Sequence, residues 1–216
     1  MKGKFICLIG IDGSGKTTLI RETIKRLNKK GIQLRYVWGS YELCLLKPII
    51  VWGKRLFLGN KNPKKDYKSY ISSINKVGEN KFLSICYQTA VIIEYVFQIF
   101  FKIALPLIMR QNVISDRYIY DAVINMKVNL CLKEQTMYRI IAFLSKIVPI
   151  PDLIIFVDVP EEIAFSRKTD TPSIDYLKIR KDLFKKIAEC HGAILLDGTK
   201  PIEELYHLME KSIQSL

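Results

Sequence analysis

Residues 4–17 read Lys4-Phe5-Ile6-Cys7-Leu8-Ile9-Gly10-Ile11-Asp12-Gly13-Ser14-Gly15-Lys16-Thr17. The stretch from 4 to 9 is a short apolar run of the kind that forms a buried strand. Glycines then crowd positions 10–15. From 16 to 30 the apolar positions Leu19, Ile20, Ile24 and Leu27, with Thr23, recur at helical spacing, and Gly31 closes the pattern. Strand, glycine-rich turn and helix in that order, with Gly10 to Thr17 fitting G-x-x-x-x-G-K-[ST], predict a loop that cradles phosphate. The glycines let consecutive backbone N–H groups converge on phosphate oxygens, and the helix adds the positive end of its dipole. In that geometry Lys16 reaches the β- and γ-phosphates of a nucleotide, and Thr17 ligates Mg²⁺.

Outward from this motif, strands are expected at 32–37, 112–115, 153–157 and 193–196. Helical segments are expected at 42–58 (broken by Pro48 and Gly53), 81–110 (kinked near Pro106), 118–127, 134–148, 160–167, 174–190 and 201–215. Residues 59–68, GNKNPKKDYK, and 168–172 read as polar loops. Short continuous apolar strands alternating with helices specify an α/β P-loop NTPase fold: a central parallel five-stranded sheet with helices on both faces. No repeat or interdomain linker is visible. The expectation is a single domain over 1–216.

The 216 residues suffice to bury a core, and hydrophobic residues at 49% and charged residues at 25% exclude disordered and low-complexity classes. Lys+Arg 34 against Asp+Glu 21 leaves a net charge of +13, which bears on anionic partners rather than on fold. Basic residues gather at Lys54-Arg55, 61–68 and 178–186. Interspersed acids and the absence of an aromatic–basic binding motif argue for a solvated surface over a nucleic-acid interface. Cys7, Cys44, Cys86, Cys131 and Cys190 show no metal-ligand spacing, which predicts no zinc site and a reduced interior. The opening apolar run is too short for a signal peptide, so a cytoplasmic protein is expected.

A second signal lies at Asn112-Val113-Ile114-Ser115-Asp116-Arg117-Tyr118. An apolar strand ends in a carboxylate beside a cation, at the sheet end where open α/β folds bind ligands. With both signals in place, the chain resembles the thymidylate kinase family of P-loop nucleoside monophosphate kinases. The resemblance rests on Asp12-Gly13-Ser14-Gly15-Lys16-Thr17-Thr18, Asp116-Arg117-Tyr118, Pro151-Asp152-Leu153 through Val157-Asp158-Val159, the lid-opening 160–167, and Leu195-Leu196-Asp197-Gly198.

The resemblance implies roles. Gly10, Ile11, Asp12, Gly13, Ser14, Gly15, Lys16, Thr17 and Thr18 would hold donor ATP, with Arg167 reaching over it from the lid. Thr17 and Asp116 would hold Mg²⁺. Arg117 would bridge donor and acceptor phosphates, making Lys16, Asp116 and Arg117 the catalytic set. Asp12 would approach the acceptor sugar. A single P-loop kinase domain over 1–216, with a lid segment at about 167–175, and homodimerisation are implied as well. dTMP becomes the default acceptor, and transfer to it, giving dTDP, the default reaction.

Departures cluster on the acceptor side. Val37-Trp38-Gly39-Ser40-Tyr41-Glu42 stands where the family carries Glu-Pro-Gly-Gly-Thr. Ile93-Glu94-Tyr95-Val96 lacks the family's arginine, and Asp121 and Asn125-Met126 replace its Ser and Tyr-Gln. The long middle helix is very apolar. At about 100° per residue, however, Lys81, Ser84, Gln88, Glu94, Gln98 and Lys102 fall within an arc of about 140°. A polar stripe of this kind predicts a buried helix with one face on a wet pocket rather than a membrane span. Gln88, Tyr95 and Gln98 are its candidate acceptor contacts, beside Trp38, Tyr118, Asp12 and Arg117. Two alternatives stay open. One is a kinase of the same fold acting on another small acceptor, a nucleoside or a sugar-type metabolite. The other is an ATP-binding protein that has lost transfer.

Overall fold

The structure is a computed structural model, and it describes residues 2–42, 81–168 and 171–216. The expected helical piece and basic loop across 43–68, Cys44, and positions 169–170 of the lid lie outside the described residues.

Among the described residues five strands form one sheet: β1 (Phe5–Ile9), β2 (Arg35–Trp38), β3 (Val113–Asp116), β4 (Leu153–Asp158) and β5 (Ile194–Asp197), in the order β2-β3-β1-β4-β5. All four pairings are parallel. This is the α/β, P-loop NTPase-like architecture that the alternation of strands and helices predicts. β1 occupies the centre and every one of its residues is buried, as a run of Phe, Ile, Cys and Leu requires. The edge strands β2 and β5 are more exposed. Register aligns the carboxyl ends: Asp116 lies beside both Leu8 and Trp38, and Asp158 beside Asp197. The ends of β1 and β3, adjacent strands, therefore present the glycine loop and Asp116 side by side.

Helix α1 (Lys16–Lys29) follows the loop. It packs Leu19, Ile20 and Leu27 into a core shared with Leu205, Met209 and Ile213 of the closing helix, Ile202–Gln214. Asp152 serves the fold rather than the site. Its carboxylate accepts from the Phe5 N–H at 2.7 Å and ties β4 to the start of β1.

Two compact units emerge. The first comprises Met1–Ser40, Phe101–Asp121 and Pro149–Leu216, and so contains the whole sheet; the second comprises Tyr41–Phe100 and Ala122–Val148. In the second unit, α2 (Lys81–Ile99) buries Val91, Glu94, Tyr95 and Ile99. Tyr41 donates to Glu94 at 2.8 Å and meets Tyr95 edge to face at 5.9 Å. A small cavity of about 80 Å³ is lined by Tyr41, Val91, Asn125 and Asn129 among others.

A π-helical turn, Phe100–Ala104, continues α2 into α3 (Leu105–Ile108). The irregularity is displaced from Pro106 itself for a physical reason. Proline offers no N–H to the Lys102 carbonyl four residues back, and the ladder loosens in the turn just before the ring. The expectation of a buried middle helix needs correcting. Ile93 is 64% exposed and Phe97 52%, while Glu94 is 2% exposed. Glu94 points inward beside the buried Val91, Tyr95 and Ile99, while Ile93 and Phe97 face out. Gln88–Ile108 is long and apolar enough to cross a membrane by length and composition, with a mean hydropathy of 1.9. Core helices pass that same test.

Candidate active site

The glycine loop is shaped by close approach. Gly13 has φ +82°, and a Cβ there would lie 2.1 Å from the Ala164 carbonyl oxygen, so only glycine fits. Gly15 precedes α1 in the left-handed region. Among the described residues no side chain caps that helix, and no acid occupies its first turn, so its N-terminus suits an anion. Lys16 is 5% exposed and bends back over its own loop. Its ammonium donates to the carbonyls of Gly10 and Ile11 and to Ser14 Oγ, at 2.9, 2.6 and 3.0 Å. Burial, and after it the neighbouring Arg117, pushes its pKa down to about 8 against the opposing pull of Asp116, Asp12 and Asp121. A phosphate entering the loop would supply the negative charge this lysine lacks.

Beside the loop, Thr17 Oγ1 donates to Asp116 Oδ2. Asp116 is fully buried, and its Oδ1 has no hydrogen-bond partner among the described residues. A hydroxyl and a carboxylate with a spare buried oxygen suit a hard divalent cation that takes its remaining ligands from phosphate and water.

Arg117 sits at the turn after β3 with φ +74°. Its N–H continues the sheet to Leu8 O at 3.0 Å, and Ser115 Oγ donates to its carbonyl. Gly39 crosses this turn so closely that a Cβ would lie 2.2 Å from the Arg117 oxygen. The guanidinium donates to Asp12 through Nη2 and to Asp121 through Nη1, the latter at 2.6 Å. Trp38 lies 5.2 Å from its centre, within cation–π range. Burial disfavours the charge, but Asp121 and then Asp12 outweigh it, and the pKa of Arg117 is raised. Burial likewise pushes Asp12 up, yet Arg117, Lys168 and Lys16 bring its carboxyl below the ordinary value.

A cavity of about 350 Å³ gathers these groups. Asp12, Gly13, Gly15, Lys16, Thr17, Thr18, Trp38, Asp116, Arg117, Arg167 and Lys168 line it. A second, mostly apolar cavity of about 230 Å³ shares Gly15, Thr18 and Arg167 with the first. It is walled by Thr18, Leu19, Val157, Gly198, Ile202 and Leu205, and Arg167 borders both. Arg167 Nη1 reaches the Gly198 carbonyl at 3.4 Å.

Most of the residues singled out in the loop, Asp116, Arg117, Arg167 and Trp38 thus meet at the sheet's carboxyl edge. Tyr118 does not: it is fully buried, its hydroxyl donates to Pro149 O at 2.7 Å, and its ring packs edge to face on Phe5. It braces the core beneath the site. Gln88, Tyr95 and Gln98 belong to the second unit, where Gln98 Nε2 donates to the Glu42 carbonyl at 2.5 Å. Sequence reading missed Lys168, Gly198, Ile202 and Leu205 as lining residues, and noted Asp121 only as a departure. The i, i+4 spacing of Arg117 and Asp121 carried a usable signal.

No family model matches the chain. Over 111 residues, 48% of this chain and 54% of the relative, it is 31% identical to a protein described as a probable thymidylate kinase of Metallosphaera sedula. Over 38 residues, 18% of each chain, it is 53% identical to a thymidylate kinase of Ligilactobacillus salivarius. The chain thus spans about half the length of the first relative and about a fifth of the second. Part of this sequence is similar to thymidylate kinases.

Proposed function

We propose that this protein is a nucleoside monophosphate kinase that moves the γ-phosphoryl group of ATP to an acceptor, with dTMP the first candidate. The observation that carries the reading is the convergence of Lys16, Thr17, Asp116 and Arg117 on one cavity at the helix N-terminus. Similarity to two thymidylate kinases supports it.

In this reading the loop amides and the α1 dipole hold the donor phosphates, and Lys16 swings from its own loop carbonyls onto phosphate oxygens. Thr17 and Asp116 would hold Mg²⁺, which supplies charge neutralisation at the β- and γ-oxygens when bound. Arg117, held in place by its carboxylates, stabilises charge as the phosphoryl group passes. Phosphoryl transfer needs positioning and cations more than covalent chemistry. The apolar second cavity suits the donor base, with Arg167 closing over the junction. Gln88, Tyr95 and Gln98 stay candidate acceptor contacts, a homodimer covers the apolar face of α2, and the protein works in the cytoplasm. Light scattering that finds only monomer removes the dimer.

A second reading, a kinase of a nucleoside or sugar-type acceptor, is favoured by the extra carboxylate Asp121 on Arg117. ADP release with Mg-ATP against dTMP, other nucleoside monophosphates and nucleosides, with Lys16→Ala as blank, tests both. Turnover with dTMP supports the first reading. Turnover with a nucleoside alone selects the second, and silence with ATP bound removes the first and means that the acceptor lies outside nucleotides or that transfer is lost.

A further inference from the structure

Arg117 is fastened at two ends by carboxylates of different character. Asp12, on Nη2, lines the phosphate cavity. Asp121, on Nη1, does not line it and is 3% exposed. Asp121 stands in the first turn of the helix Ile119–Asn129, where the dipole favours a carboxylate. Ser40 Oγ donates to its other oxygen at 3.3 Å. An anion entering the cavity meets the Asp12 edge of the guanidinium and competes for Nη2. The Nη1 edge stays behind the cavity wall.

We propose that Asp121 is a positioning residue that anchors the Arg117 guanidinium from behind, while Asp12 is the exchangeable partner an incoming phosphate displaces. The inference rests on the phosphoryl-transfer reading and adds a residue that reading does not need. The physics is that of a planar fork. Arginine has several free torsions, and one charge-assisted bond at Nη1 leaves Nη2 aimed at a single place. A misplacement of about 1 Å at a reacting centre costs about 10²-fold in rate.

Two measurements test it. In steady-state ADP release, Asp121→Asn lowers kcat by about 10- to 100-fold and leaves the KM for ATP within about threefold, because the donor loop is untouched. Asp121→Glu recovers part of the loss. Wild-type kcat in Asp121→Asn overturns the proposal. The second readout needs no turnover. Hindered rotation about the Nε–Cζ bond gives separate Arg117 Nη resonances in ¹⁵N spectra, assigned by their loss in Arg117→Lys. They persist when Mg-ATP is added to wild-type protein and average together in Asp121→Asn. Averaged Nη signals in the wild type overturn the anchor even if Asp121→Asn fails to fold. Separate Nη signals in a protein without turnover would keep the anchor and sink the kinase reading instead.

Discussion

The phosphate cavity of the first unit and the α2 region of the second handle charge in opposite ways. In the cavity, Arg117 is clamped between Asp12 and Asp121, Lys16 folds onto loop carbonyls, and Asp116 holds Thr17. In α2 one carboxylate, Glu94, turns inward to a tyrosine while Ile93 and Phe97 face out. The cavity is a set of mutually balanced charges held by a local backbone pattern, into which, in the proposed function, phosphate exchanges. The helix turns hydrocarbon outward, so what covers it must come from outside the helix.

The largest expected effect breaks the first half of this comparison. Lys16→Ala loses more than about 10³-fold in turnover, since a phosphate-binding cation in a water-poor site cannot be replaced by solvent. Thermal melting of the same variant shows no loss of stability, because burial disfavours the charged lysine. By contrast, Gln98→Ala in the second unit leaves the KM for ATP unchanged and shifts only that of the acceptor. If Gln98→Ala weakens ATP instead, the division of labour fails.

Gly39→Ala comes next, at about 1–3 kcal/mol in urea denaturation, because the new Cβ drives into the Arg117 turn. Its kcat falls as the guanidinium shifts. Tyr41→Phe, the matching probe in the second unit, costs about 1 kcal/mol by removing a hydrogen bond to a buried carboxylate. It changes no ATP parameter. The smallest effect is on the acid limb. The folded pKa of Asp12 lies below its ordinary value, so its contribution to stability is present above that ordinary value and is lost as pH falls through the lowered one. Melting curves between pH 5 and pH 2 show a steeper loss in wild type than in Asp12→Asn. Parallel curves would mean that the Asp12–Arg117 pair adds nothing to the fold.

Legibility differed with range. The glycine loop could be read because every requirement for it sits within eight consecutive residues. Asp116-Arg117 could be read because a strand end places them. Tyr118 misled: its position beside Arg117 suggested the site, but strand-to-helix geometry turns adjacent side chains to different surroundings, and its ring went to Phe5. Asp121 was visible only as an oddity, since its meaning depends on where the Arg117 fork points. The lining residues Gly198, Ile202 and Leu205 could not be found locally, because β5 reaches the loop only through sheet order.

By itself the amino-acid sequence determined the parallel α/β architecture and the glycine-rich turn that carries Lys16 between β1 and α1. These follow from periodicity and from glycine's conformational freedom, which act over a few residues. Tertiary structure alone decided that Gly39 must be glycine, that Asp12 and Asp121 share one guanidinium, and that Glu94 of α2 faces inward. Each of these depends on the approach of segments tens of residues apart, and van der Waals contact and charge pairing act only once the fold has brought them within a few ångströms.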